Sequence, residues 1–256
     1  DTRDGEVKIY GMPLSVDSLA LYYNKAYFDR YLPEDGKPAT SWDGIETQAF
    51  RMRKEDNGVF SLSGIALGRA DNIGLAPDVM YALMQQNGVQ FYDKGFKHAA
   101  FASSAGGKAL EFFTSFADSG SKHYSWNREI IDPEDAPLLE IEAFLTGKTA
   151  MIAGYAGLYG DLEVMLKNLS AKGSDVISIS DIRVAPLPQV AEADEQFSTY
   201  AHYFAQTVSR TSESPAQAWD FVQFLTSKTG AQSYLKDAKR PTARRDLIEM
   251  QEKDSV

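Results

Sequence analysis

The sequence predicts an α/β fold, and two observations support this prediction. Short apolar or β-branched runs alternate along the chain with segments whose apolar residues recur at helical spacing. No internal repeat or low-complexity tract interrupts that alternation. Hydrophobic residues make up 43% of the 256 residues, which is enough for a packed core in one large domain or two ordinary ones.

The first part of the chain predicts two strands, a helix and a third strand. Residues 7–10 and 15–23 are rich in apolar, β-branched and aromatic types, and they predict strands joined by a turn at residues 11–13. A hydroxyl-rich segment predicts the cap of a helix over residues 42–54. An apolar run then predicts a buried strand over residues 60–67.

The remaining elements continue the same alternation. Helical spacing of apolar residues predicts helices over 77–86, 105–115, 137–145 and 215–225. Short apolar runs predict strands over 149–153 and 182–187. The last helix is the clearest, because Ser214 stands at the cap position and Pro215 at the first helical position.

The charge balance argues against two classes of partner. Acidic residues outnumber basic residues by 36 to 26, for a net charge of -10, and no dense basic run could follow a phosphate backbone. We therefore expect no nucleic acid partner. The same acidity opposes binding to anionic lipid, and no apolar run approaches the roughly 20 residues that span a bilayer.

The sequence predicts no catalytic residue, no metal site and no cofactor. It has no cysteine, and the three histidines fit no metal-ligand spacing: His98, His123 and His202. The run Gly147-Lys148-Thr149 imitates the end of a phosphate-binding loop, but Glu142 stands where that loop requires a glycine. No Gly-x-Ser-x-Gly motif is present.

Several short runs resemble those of one protein family, and they occur in the family's order. The run over residues 10–25, YGMPLSVDSLALYYNK, is similar to the interlobe crossing of family 1 extracellular solute-binding proteins of ABC sugar importers, the maltose-binding-protein-like group. Five further runs continue the resemblance: ATSWD at 39–43, FLTGKTAM at 144–151, VAPLP at 184–188, AWDFVQFL at 218–225 and PTARR at 241–245.

The resemblance implies a bilobed, type II periplasmic-binding-protein-like architecture. It assigns residues 17–199 and 241–256 to a nearly complete second lobe and residues 1–16 and 200–240 to a partial first lobe, with hinge crossings near 16–18, 198–202 and 240–243. Proteins of the family are longer at both ends. It also implies an extracytoplasmic location, in the periplasm or lipid-anchored at the cell surface, although no signal peptide opens this sequence. The resemblance implies two partners: a small-molecule ligand, which in this family is a carbohydrate, and the transmembrane permease of the importer.

A sugar site needs polar groups for the hydroxyls and aromatic rings for the apolar sugar faces. The resemblance assigns Asp17 to an acidic sugar contact, and the alternative is a hinge carboxylate bonded to nearby backbone. Asp71 and Asn72 follow a predicted strand, where loops line the crevice of an α/β sheet, and the alternative is a solvated loop.

Aromatic residues near the implied crossings supply the stacking surfaces. Tyr155 and then Tyr159 follow the strand predicted over 149–153 and are the expected platforms, with a buried, hydrogen-bonded tyrosine as the alternative. Tyr200 and His202 replace the glycine-rich stretch usual in the family and could set a ligand preference.

The three tryptophans stand in different sequence contexts. Trp42 stands in a helix-start motif and Trp219 on an amphipathic helix, so we expect both to serve in packing. Trp126 lies in a segment without clear periodicity, and its role stays open.

Two rival functions remain beside the sugar receptor. The same scaffold could bind a polyamine, a phosphorylated polyol or a metal chelate, and Arg69 or Arg244 would be the visible hint of an anion clamp. The third class is a carbohydrate-active enzyme, which needs two carboxylates at a defined separation.

Overall fold

The computed structural model describes residues 8–130, 140–190 and 197–254. The chain divides into two compact units. Unit 1 consists of Asp1–Ser18, Ala156–Gly160 and Ala201–Val256, and unit 2 consists of Leu19–Tyr155 and Asp161–Tyr200.

Strands and helices alternate along the chain, so the predicted α/β class is confirmed. The strands are β1 (Met12–Pro13), β2 (Asp17–Asn24), β3 (Lys54–Asp56), β4 (Val59–Leu62), β5 (Met151–Tyr155), β6 (Ile182–Pro186), β7 (Ala201–His202) and β8 (Ala205–Gln206). The helices are α1 (Lys25–Tyr31), α2 (Trp42–Met52), α3 (Ala76–Gln86), α4 (Ser104–Ser115), α5 (Glu140–Leu145), α6 (Tyr159–Ala171), α7 (Pro215–Thr226), α8 (Lys228–Ala238) and α9 (Arg245–Asp254).

The sheet of unit 2 is built around β2, which lies between β5 and β6 and is antiparallel to both. Leu21 lies opposite Ala153 on one side and Ala185 on the other. Leu21 and its neighbour Tyr22 are both fully buried. Both faces of the strand are therefore covered, which explains why its sequence reads as a nearly continuous apolar run.

Serine side chains cap several helices, as the sequence led us to expect for α2. The side chain of Ser41 accepts a hydrogen bond from the amide of Gly44 at the start of α2. At the starts of α4 and α8, Ser103 accepts from the amide of Gly106 and Ser227 from that of Gly230. Each cap satisfies an amide that has no partner within its helix. Ser214 holds the cap position of α7 but makes no side-chain cap bond.

Unit 1 has a small apolar core of its own. Leu14, Ala231, Leu235 and Leu247 are buried together, and Met250 packs against them. These residues come from the start of the chain, from α8 and from α9. Two short antiparallel pairs accompany this core: β1 with β8, and the first two residues of β2 with β7.

The division into units differs from the implied lobes at the end of the chain. Residues 240–243 lie inside unit 1, and residues 241–256 fall with residues 201–240 rather than with the other lobe. The contact that explains this is the burial of Leu247 against Leu235 and Leu14. The implied lobes and hinges therefore remain a proposal.

Several predicted elements differ in their bounds. Residues 11–13 do not form a turn, because Met12 and Pro13 pair with β8. The strand predicted over 60–67 ends at Leu62, and the following residues are buried without regular strand structure apart from a bridge between Ser63 and Thr149.

The other predicted elements shift by a few residues. The strand predicted over 149–153 runs from Met151 to Tyr155, and the helix predicted over 42–54 ends at Met52. The helix over 137–145 is described from Glu140, and residues 137–139 lie outside the described residues. The helix predicted over 215–225 is confirmed as α7, and Phe221 on this helix is exposed.

Candidate functional site

The seven residues predicted as ligand contacts divide between the two units. Unit 1 contains Asp17, Tyr159 and His202, and unit 2 contains Asp71, Asn72, Tyr155 and Tyr200.

In unit 1, the carboxylate of Asp17 lies at the meeting point of three chain segments. Asp17 is buried, and both of its carboxylate oxygens lie 3.2–3.3 Å from the amide nitrogen of Gly157. The Nη1 of Arg240 donates to Oδ2 of Asp17 at 3.2 Å. These three residues come from the three segments that make up unit 1, so the cluster joins them at one point.

A side chain at residue 157 would disrupt this cluster. A Cβ added to Gly157 would lie 2.1 Å from Nη1 of Arg240 and 2.7 Å from Oδ2 of Asp17. Both distances are far below van der Waals contact. Glycine at this position is therefore what lets the carboxylate and the guanidinium approach the backbone.

A pocket of about 1090 Å³ opens beside the cluster and is lined by residues of unit 1. Four apolar residues of α8 and α9 line it: Leu235, Leu247, Ile248 and Met250. The other lining residues include Tyr159 and the polar or cationic residues Gln232, Lys236, Lys239, Arg240 and Gln251. A surface that combines apolar walls with a few polar groups is typical of small-molecule sites.

Tyr159 and His202 have different places in unit 1. Tyr159 is the first residue of α6, is 49% exposed and lines the pocket, so this residue is accessible to a ligand. His202 pairs with Asp17 through the backbone of β7, and its ring meets the ring of Phe204 edge-on at 6.1 Å.

In unit 2, Asp71 forms an exposed ion pair with Arg69. The guanidinium donates two hydrogen bonds to the carboxylate, at 2.8 and 2.6 Å. These bonds hold the pKa of Asp71 below its ordinary value and raise the pKa of Arg69. Each charge is thereby compensated within two residues of sequence.

Asn72 is buried and positions Trp126. Its Oδ1 accepts a hydrogen bond from Nε1 of Trp126 at 2.8 Å, and its Nδ2 donates to the carbonyl of Asn127 at 3.1 Å. Trp126 is fully buried, so this bond satisfies an indole N–H that water does not reach. These contacts give Asn72 a structural role.

The two predicted tyrosine contacts in unit 2 have different surroundings. Tyr200 directly precedes β7 in the chain. Tyr155 ends β5, is partly buried, and accepts a hydrogen bond at its carbonyl from the hydroxyl of Tyr22 at 2.9 Å. The ring of Tyr200 stacks on the ring of Tyr81, with 5.6 Å between centroids and 12° between planes. The stacked pair leaves part of the Tyr81 ring exposed.

The expected packing role of Trp42 is confirmed. Trp42 is buried, its Nε1 donates to Oε1 of Gln86 at 2.8 Å, and its ring meets Phe112 edge-on. Trp219, expected in the same role, is partly buried on α7.

Comparison with known proteins adds the decisive observation. The profile of a family described as bacterial extracellular solute-binding proteins matches residues 2–255. The chain belongs to this family. A search of curated proteins gave no match.

Solved structures of other solute-binding proteins share the fold. The GacH receptor of Streptomyces glaucescens, solved unliganded and with acarbose, is 22% identical and has a TM-score of 0.67 over 95% of this chain. A solute-binding protein of Thermotoga lettingae bound to α-D-tagatose is 19% identical, with a TM-score of 0.66 over 94% of this chain. The cyclic α-maltosyl-1,6-maltose binding protein of Arthrobacter globiformis is 20% identical, with a TM-score of 0.64 over 98%. This chain spans 55%, 56% and 58% of the lengths of these three proteins, in that order.

Two further observations concern the described part of this solute-binding protein. Among the residues that the structure describes, no helix is long and apolar enough to cross a membrane. In the same ranges, no group of three or more histidine or carboxylate side chains is arranged to hold a metal ion.

Four functional candidates were missed by reasoning from the sequence: Gln232, Lys236, Lys239 and Arg240. The sequence did contain a hint of these residues. Three cationic residues, Lys236, Lys239 and Arg240, lie within five residues before the run over 241–245 that carried the resemblance. Arg244, which the sequence had suggested as an anion clamp, is paired with Asp246 through two hydrogen bonds of 3.0 Å.

Proposed function

We propose that this solute-binding protein acts outside the cytoplasm as the substrate-binding component of an ABC importer. It binds a sugar or oligosaccharide in a cleft between two lobes and delivers it to the transmembrane permease. Hinge crossings near residues 16–18 and 198–202 would let liganded and empty forms present different surfaces to the permease. The protein acts as a receptor and leaves its ligand unchanged.

The observation that carries this proposal is the match to the solute-binding family over residues 2–255. The fold likeness supports the sugar class, because the receptors named above were solved with acarbose or α-D-tagatose, or are named for the saccharide that they bind. The exposed ring of Tyr159 beside polar side chains is consistent with a saccharide, which needs a stacking surface next to hydrogen-bonding groups.

The predicted contacts enter this proposal with unequal support. Tyr159 lines a pocket, and we propose it as a stacking platform. Asp17 already has a backbone and a guanidinium partner, which supports its alternative role as a structural carboxylate. Asp71, Tyr155, Tyr200 and His202 remain proposed contacts. For Asn72 the bonds to Trp126 and Asn127 support packing over ligand binding.

A panel of mono- and oligosaccharides tested on the full-length protein examines the proposal. Thermal shift and tryptophan fluorescence should find at least one stabilising saccharide, because a ligand that binds only the folded state raises its apparent stability. Chromatography of the same samples after incubation should recover the saccharide unchanged. A response to polyamines or metal chelates without any response to saccharides would reject the sugar class, and conversion of the saccharide would indicate an enzyme.

A further inference from the structure

The pocket of unit 1 is lined by positively charged side chains, although the chain as a whole is acidic. The chain has a net charge of -10, yet Lys236, Lys239 and Arg240 all line this pocket. None of the lining residues is a carboxylate, within the part of the chain that the structure describes. Local charge, rather than net charge, sets the potential that a bound solute meets.

We propose that this pocket recognises the acidic group of an anionic sugar, a sugar acid or a sugar phosphate. This inference rests on the proposed function and specifies its substrate class. The shared chemistry is a carboxylate or phosphate attached to a hydroxylated ring. Lysine and arginine side chains are the groups that bind such anions in proteins.

The two lysines supply the net charge of the pocket. The guanidinium of Arg240 is partly compensated by Asp17, 3.2 Å away, and this contact also fixes its orientation. Lys236 and Lys239 take part in none of the ion pairs formed among the described residues. Arg240 therefore acts as a positioned donor, and the lysines as the charges available to an anion.

The backbone at Lys239 favours a functional reason for this lysine. Lys239 caps the end of α8 in the left-handed region, with φ of 49° and ψ of 45°. Glycine or asparagine is usual at such a position, and another residue there costs about 1 kcal/mol. A cation near a helix C-terminus is favoured by the helix dipole, but Lys236 already stands in the last turn of α8. Glycine would relieve the strain at residue 239, whereas lysine adds a third cation to the pocket, beside Lys236 and Arg240.

The rest of the pocket suits a sugar ring. Leu235, Leu247 and Met250 form an apolar wall, and Tyr159 offers a ring at the same opening. Gln232 adds an amide that can exchange hydrogen bonds with hydroxyl groups. The volume of about 1090 Å³ is large enough for a mono- or disaccharide.

The other arginines considered for an anion clamp are compensated. Arg69 is bonded twice to Asp71, and Arg244 is bonded twice to Asp246. In both pairs the hydrogen bonds from arginine lower the pKa of the carboxyl, which keeps it ionised beside the guanidinium. Arg69 and Arg244 are thus paired with carboxylates, whereas Lys236 and Lys239 of the unit 1 pocket form no ion pair among the described residues.

Calorimetric titration of the full-length protein with matched sugars tests this inference. The probes are glucose, glucuronate and glucose 6-phosphate, galactose and galacturonate, and inorganic phosphate, each at 20 and 150 mM salt. The acidic member of at least one set should bind at least tenfold more tightly than its neutral partner, and salt should weaken this preference because it screens exposed charges. The carboxylate and phosphate probes distinguish the two sources of the acidic group.

Variants of α8 then locate the preference. Lys239→Gly and Lys236→Ala should each reduce the preference for the acidic sugar at least threefold, and Lys239→Gly should fold at least as stably as the parent. The matched control is Lys228→Ala, which removes a lysine from the first turn of the same helix, away from the pocket lining. This control should leave the preference unchanged.

Four other outcomes would overturn the anionic class. Neutral sugars that bind as tightly as acidic ones, or a preference that survives both lysine variants, would overturn the anionic class and leave the sugar receptor standing. Inorganic phosphate that binds as tightly as glucose 6-phosphate would identify an adventitious ion only, and would also overturn it. Absence of binding by every saccharide, in this panel and in the wider one, would reject the proposed function and this inference with it.

Discussion

The guanidinium of Arg240 reaches the buried carboxylate of Asp17, with Nη1 3.2 Å from Oδ2, although 223 residues separate them in sequence. The amide of Gly157 donates to the same carboxylate. Three chain segments therefore depend on one buried charge, and removing that charge affects all of them. The first two predictions test this dependence.

Asp17→Asn should lower the free energy of unfolding by about 2 kcal/mol. The amide removes the charge that Arg240 contacts, and its NH₂ group brings a donor into a site where Gly157 and Arg240 already donate. Urea denaturation followed by circular dichroism measures the loss. Asp71→Asn is the control, because it breaks an exposed ion pair, which contributes less than about 1 kcal/mol.

The same variant distinguishes the two roles of Asp17. If Asp17 is a structural carboxylate, Asp17→Asn protein that is fully folded at low temperature should bind its ligand with parent affinity. A loss of affinity of tenfold or more in the folded variant would instead establish direct contact with the ligand. An unchanged denaturation midpoint would contradict the structural role.

Gly157→Ala should destabilise the protein by about 1–3 kcal/mol, because its methyl group would lie 2.1 Å from Nη1 of Arg240 and 2.7 Å from Oδ2 of Asp17. Gly160→Ala is a closely matched control three residues away. A Cβ there meets only Lys239, at 3.8 Å, and lies within α6, where alanine is favoured over glycine by up to about 1 kcal/mol. Thermal unfolding should thus show opposite effects for the two variants. Equal stability of the two would show that the cluster relaxes without loss.

Asn72→Ala should destabilise unit 2 by about 1–3 kcal/mol and leave ligand affinity unchanged. The variant leaves the Nε1 of buried Trp126 without its acceptor, and such an unpaired donor carries the full cost of its desolvation. The tryptophan emission should also change, since the indole loses a hydrogen bond. The control is Asn87→Ala directly after α3, whose side chain donates to the carbonyl of Leu83 in that helix. A large loss of affinity with unchanged stability would return Asn72 to the ligand site.

These contacts show where reasoning from the sequence succeeds and where it stops. The start of α2 was predictable because its cap and first turn are local, and so was the packing role of Trp42. The strand at Met12 was missed because its partner, Gln206, is remote and a two-residue strand has no period. For the same reason the resemblance could point to Asp17 but no local pattern could reveal Arg240 as its partner.

A buried pair in unit 2 predicts an unusual dependence of stability on pH. Oε1 of Glu46 lies 2.8 Å from Nδ1 of His123, and both side chains are mostly buried. Burial first, and then the charge of Asp43, raise the pKa of Glu46 to about 7, whereas Lys122 lowers it. Burial first, and then Lys122, lower the pKa of His123, against an opposing effect of Asp43. Both net directions favour a neutral pair in which the carboxyl group donates to Nδ1.

The sign of the effect follows from proton binding. Between pH 4.5, the ordinary pKa of glutamate, and about 7, the folded protein holds a proton on Glu46 that the unfolded chain releases. The contribution of Glu46 is therefore fully present below pH 4.5 and is lost as the pH rises through 7. The lowered pKa of His123 has the opposite sign below pH 6.5, so the change in the parent protein is the difference of the two.

Glu46→Gln isolates the carboxyl contribution, because the amide retains a donor for Nδ1 of His123 but does not titrate. Relative to the parent, the variant should gain on the order of 2 kcal/mol in unfolding free energy between pH 4 and pH 8. Urea denaturation of both proteins at several pH values measures this gain, with pH 4 as the reference at which they should differ least. A parent and variant that run parallel across the range would show that Glu46 ionises in the folded state as it does in the unfolded chain.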